Sequence, residues 1–207
     1  MANSSAGFGF LPFGRLEGGS PTAGLTKVNI ASSDTNAIGR GDLVQDSTAQ
    51  GSYVTLQASG VSLTRGVFWG CEFYSPSIGR VVWQPNFPGS VQTSSGTADA
   101  IGYIYDDPQE LFIAKGSTSG IILSSYFGLN IGFMSSMGVT TGDIHSLAVL
   151  ASSTVGSTSA LPFRLVDYYS NYAPPGTIDG VDNTSVGNIV VVSPNNWSRK
   201  NLTARSS

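Results

Sequence analysis

The chain has 207 residues, with 10 Lys or Arg against 13 Asp or Glu, one histidine and one cysteine. Only 11% of its residues are charged, where an average soluble domain has about a quarter. These totals exclude an internal disulfide and a thiolate metal cluster, and an acidic balance with pI near 4.9 argues against a nucleic-acid footprint.

The first twenty residues set Phe8, Phe10 and Phe13 among glycines and end in Arg15 and Gly18-Gly19. Read as an extended N-terminal arm (1–20), this stretch cannot bury its aromatics alone. It either folds onto its own domain or inserts into a neighbour, and Phe8, Phe10, Phe13 and Arg15 are its interface candidates. Period-2 patterning then predicts strands at 26–30 and 53–57. The clearest strand is 64–74, where strict alternation puts Val67, Trp69, Cys71 and Phe73 on one face and Phe68, Gly70, Glu72 and Tyr74 on the other. A turn from Pro76 to Gly79 leads into 81–84 and makes a hairpin, with Trp69 and Trp83 read as core. Strands at 101–105 and 111–114 flank Asp106-Asp107-Pro108, a turn signal because Asp accepts from backbone N–H groups two residues on.

From Lys115 to Asp143 the chain holds no charged residue in between, long enough on paper to cross a bilayer. Gly120, Gly128, Gly132 and Gly138 interrupt it, and no basic cluster or aromatic belt flanks it. It reads as two buried strands with Gly turns, and no membrane partner is expected. Further strands are predicted at 121–126, 144–150, 163–169 and 188–192, with a long loop over 170–187. A single β-rich domain (21–196) followed by a polar C-terminal tail (197–207) accounts for the rest. About ten short strands predict a mostly β fold, an antiparallel β-sandwich or a small β-barrel.

The chemistry-bearing residues are few. His145 lies at the mouth of a predicted strand and reads as a strand-edge residue rather than the base of a triad. With one His and one Cys there is no zinc ligand set of the usual kind, and no nucleotide, nucleophile-elbow or metalloprotease motif occurs. Only three Glu are present, and Asp42, Asp46, Asp179 and Asp182 fall in loops without calcium-loop spacing. Cys71, alternating with aromatics, reads as a small buried hydrophobe. Tyr168, Tyr169 and Tyr172, beside the long loop, are candidates for an exposed contact. We therefore expect no catalytic site, no metal and no cofactor. A chain this poor in charge yet 40% hydrophobic is not built for disorder. It is also poorly equipped to solvate its whole surface, which points to burial against partners.

Several segments together resemble a family of tailed-bacteriophage virion proteins. GFGFLPFGRLEGGS (7–20) resembles the aromatic-Gly-Pro arm that opens them. GRGDLVQ (39–45) and GVFWGCEF (66–73) are similar to their paired strand motifs. ADAIGYIYDDPQELFIAK (98–115), LPFRLVDYY (161–169) and NIVVVSPNNW (188–197) continue the likeness over most of the chain. The sequence departs from the pattern in its Ser/Thr-rich, charge-poor middle and in Leu11, where the family often has Arg. The resemblance implies a head decoration or cement-like protein: a β-rich fold, homotrimeric clusters, and attachment to the major capsid protein on the capsid exterior after synthesis in the host cytoplasm. The other reading is a tail or fibre adhesin, with Tyr168, Tyr169 and Tyr172 at a host-receptor contact.

Overall fold

The computed structural model describes residues 3, 6–21, 24–48, 52–58, 63–89, 98–134, 137–140, 143–169 and 182–201. In chain order these form β1 (Leu11–Arg15), β2 (Thr26–Ile30), β3 (Leu43–Asp46), β4 (Val54–Leu56), β5 (Thr64–Ser75), β6 (Arg80–Gln84) and β7 (Ala100–Tyr105). They continue as β8 (Glu110–Lys115), β9 (Asn130–Met134), β10 (Met137–Thr140), β11 (Asp143–Ser146), β12 (Val149–Gly156), β13 (Phe163–Tyr168) and β14 (Ile189–Pro194). Among the described residues the helical pieces are a 3-10 turn at Ser124–Tyr126 and α1 (Ser198–Asn201). No helix there is long and apolar enough to cross a membrane.

Two antiparallel sheets pack as a β-sandwich, as the strand spacing predicts. One runs β1-β8-β14-β13-β9-β12; the other runs β2-β7-β5-β3-β4, with β6 also paired to β5, and β10-β11 form a separate hairpin. Leu43, Val67 and Tyr105 of the second sheet meet Phe112, Phe133, Phe163 and Val192 of the first in the larger core. A second cluster (Ile30, Val44, Val54, Phe68, Cys71, Ile104) lies on the opposite face of the second sheet, capped by Ile38 and Phe87. That sheet curls so far that its edge strands touch at one bridge, Asn29 to Tyr53, but it does not close. β14 (IVVVSP) is buried at every position from Val190 onward, as befits a central strand read as a continuous apolar run.

One open alternative is decided and three sequence expectations need correction. The alternative concerns the arm. Of its two possible fates, it folds onto its own domain: β1 pairs with β8, and Phe10 is fully buried. Pro12 is tolerated because β1 is an edge strand. A register shift between Pro12 and Gly14 leaves Phe13 as the extra residue, turned outward. Proline, glycine and bulge together hid the strand's alternation.

The first correction is the start of the C-terminal tail. Trp197 is fully buried, with its ring 5.6 Å from Phe112 and 5.8 Å from Phe163, so the domain extends past 196 into α1.

The second is the 121–126 strand, which is not formed. The Asn188 side chain takes the place of a neighbouring strand, donating to the Ile122 carbonyl at 2.8 Å and accepting the Ile122 N–H at 3.4 Å. The 144–150 strand is likewise split, with β11 on β10 and β12 on β9.

The third is the alternation in β5. Phe68 faces Ile104 while Gly70 faces Tyr103, so Trp69 is an inserted residue. A bulge reverses the facing of everything beyond it. Val67 and Trp69 therefore belong to the inter-sheet core, whereas Phe68, Cys71 and Phe73 share the second cluster.

Candidate protein-interaction face

The hairpin of β5 and β6 builds the most exposed apolar surface of the described chain. Its turn is closed by the Ile78 and Gly79 N–H groups donating to the Ser75 carbonyl at 3.2 and 2.8 Å, with Gly79 at φ 71°. Pairing sets Tyr74 beside Val81 and Glu72 between Trp83 and Ile101. Tyr74 is 41% exposed, Ile78 56%, Val81 64%, Trp83 52% and Ile101 38%. These side chains share the outward face, because Val82, between Val81 and Trp83, points back to the second core. Gly70 makes the arrangement possible. A Cβ there would meet the Trp83 ring at 2.8 Å, so the indole lies across bare backbone. The face ends in polar groups: the Tyr103 hydroxyl donates to Glu72 at 2.9 Å, and the Lys27 ammonium stands 5.8 Å over the Tyr103 ring. An apolar centre with a polar rim is the anatomy of a protein-binding patch.

The expectation that Trp83 is core is therefore overturned. Sequence reasoning missed this face although a signal was present. Counting outward from the hairpin turn puts Val81 and Trp83 opposite Tyr74 and Glu72, and only the bulge at Trp69 obscures which side is solvent.

The residues expected at an interface are dispersed. Phe8 is half-buried, and Phe10 stacks on Phe163 at 4.6 Å inside the core. Arg15 pairs with Asp107 at 3.5 Å. Tyr168 is half-buried, donates to the Ile122 carbonyl at 3.1 Å and packs edge-on against Phe127. Phe13 and Tyr169 do come together, edge to face at 5.6 Å, with Phe13 44% exposed. Tyr172 lies outside the described residues, as does Asp179. Most of the 170–187 loop does too.

The polar groups are tied into the scaffold. Asp107 shapes the turn as expected, accepting the Gln109 N–H at 2.9 Å. Asp106 does not: it is buried and collects the Thr26 hydroxyl at 2.7 Å, Arg199 at 2.8 Å and Arg65 at 3.4 Å. An open groove of about 670 Å³ beside it is lined by Lys27, Asp46, Arg65 and Arg199. Both arginines there are already engaged by Asp46 or Asp106. Asp42 is buried, accepts the Gly39 N–H at 2.7 Å, and is pushed up to about 6 by desolvation, which the Ser146 hydroxyl and Gly39 N–H offset only in part. Burial also pushes the Cys71 thiol up to about 12, so it is protonated, with its S–H directed at the Asn86 carbonyl. His145 sits half-buried in β11 and bridges to Arg40 through the backbone. Among the described residues no group of three His, Cys, Asp or Glu is placed to hold a metal ion.

No protein-family model matches this chain, and no curated protein or solved structure is significantly similar to it.

Proposed function

We propose that this protein is a structural component of a tailed-phage virion, a decoration or cement protein that binds the outside of the head through the major capsid protein. The observation that carries the reading is the uncovered apolar face of the β5–β6 hairpin, with Trp83 and Val81 at its centre. A chain this poor in surface charge gains most by covering such a patch against another protein. The motif resemblance over 7–20, 39–45, 66–73, 98–115, 161–169 and 188–197 supplies the identity of the surface. A cement protein stabilises a shell because it binds the assembled form and not its separated parts.

The test is to purify the source particles, separate heads from tails, and quantify this chain against the major capsid protein. The expected outcome is a fixed, high-copy ratio in the head fraction. Recovery with tails alone, at low copy, would transfer the reading to an adhesin, and absence from both would overturn it.

A further inference from the structure

The β6 edge has properties that go beyond a generic docking patch. β6 pairs with β5 on one side only, and among the described residues no strand pairs with its other edge. Exposed edges are normally blunted by lysine, an internal proline or a bulge. β6 has no lysine, internal proline or bulge; its one charged residue, Arg80, stands at the turn end of the strand, and its two outward side chains, Val81 and Trp83, are apolar.

The sequence of β6, Arg-Val-Val-Trp-Gln, is also self-complementary. An antiparallel copy centred on Val82 would set Val81 against the second copy's Trp83, Arg80 against its Gln84, and Val82 against itself. Apolar groups meet apolar groups and no like charges meet, which register matching across strands requires. Such pairing is the self-matching geometry of a two-fold contact.

Edge pairing sets Val81 and Trp83 of one copy beside Trp83 and Val81 of the other on the shared outward face, and the main-chain ladder between the two edges adds to that contact.

We infer that the β6 edge pairs antiparallel with β6 of a second copy of this chain, joining two sheets into one continuous sheet across a two-fold axis. The inference rests on the reading of this hairpin as a protein-binding element: the β6 edge takes a second copy, while the apolar face of the joined sheet stays open to another partner. Trp83 and Val81 anchor the contact, with Arg80 and Gln84 at its two ends. This two-fold contact is separate from the three-fold clustering that the resemblance implies.

The experiment is the solution mass of the purified full chain across micromolar concentrations, for wild type, Trp83→Glu and Val81→Lys. Both positions are more than half exposed, so both variants keep the fold, checked by far-UV circular dichroism. The expected result is a dimer weakened by roughly thirtyfold or more in each variant. Val82→Cys adds a geometric readout. In the proposed register the two introduced thiols face each other within disulfide range, so mild oxidation yields a covalent dimer. The buried Cys71 of the unmodified chain yields none. A monomer at every concentration, or an oligomer that both variants leave intact and Val82→Cys fails to cross-link, would overturn the inference.

Head binding by the same variants separates the two conclusions. A monomer that binds heads through Trp83 removes the dimer and leaves the capsid reading. A dimer that binds no head removes the capsid reading and leaves the dimer.

Discussion

Asp42 shows how one buried carboxylate can shape the behaviour of the protein. It lies in the Gly39–Asp42 turn, where the N-terminal segment, β5 and the end of β11 converge. Gly41 sits at φ 90° and its carbonyl accepts the Phe10 N–H at 2.9 Å. The backbones approach so closely that a Cβ on Gly9 would meet the Gly41 carbonyl at 2.8 Å. Burial there holds the Asp42 carboxyl near 6 against an ordinary value of 3.8. Because the folded value is the higher one, the folded state binds the proton more tightly than the unfolded chain. The resulting stability is fully present below about pH 4 and is lost as pH rises through about 6. The gap corresponds to about 2–3 kcal/mol. Asp42→Asn should therefore flatten the fall in denaturant-derived stability between pH 4 and 6 by about that amount. An unchanged slope would show that the carboxyl is not held in its protonated form.

At the scale of elements, the turn between β7 and β8 carries the chain from one sheet to the other, and its two aspartates divide the work. Asp106, 3% exposed at its side chain, ties β2, β5 and α1 together through Thr26, Arg65 and Arg199. Asp107, at 28%, shapes the turn and meets Arg15 at the surface. Removing the carboxylate from a buried network strands its partners, at a cost of about 3 kcal/mol or more, whereas an exposed pair is worth about 1 kcal/mol at most. Urea midpoints of Asp106→Ala and Arg15→Ala should differ accordingly, and equal losses would place Asp106 outside the network.

The sequence made the Asp-Asp-Pro turn and both flanking strands legible, since alternation and turn chemistry are local. It did not reveal that β7 and β8 enter different sheets, nor that Asp106 is buried, because the partners lie up to 93 residues away. The candidate face was obscured for a related reason. The hairpin was readable from Pro76–Gly79, but the bulge at Trp69 shifts the phase of β5 without any marker in composition, and so Trp83 passed for core.

At the scale of the whole molecule, the segment leading into β1 and the segment leading into α1 are both built into the larger core rather than hung from it. Phe10 and Trp197 both contact Phe163, the former stacked at 4.6 Å and the latter edge-on at 5.8 Å. Asn3 also donates to the Asp182 carbonyl at 2.8 Å, and Lys115 donates to the Ala6 carbonyl at 3.1 Å. This changes how an arm-mediated contact can be tested. Deleting residues 1–20 removes β1 and a buried aromatic, so any loss of binding to a particle would follow from loss of the fold as readily as from loss of a contact. Point substitutions separate the two. Phe10→Ala empties a fully buried site and should cost about 3–5 kcal/mol, with circular dichroism and tryptophan fluorescence reporting one shared transition because both sheets depend on that core. Phe13→Ser acts on a bulged, outward ring and should change stability by no more than about 0.5 kcal/mol. Binding to heads that survives Phe13→Ser but not Trp83→Glu would place the contact on the β5–β6 face. The reverse pattern would return it to the N-terminal strand and its neighbour Tyr169.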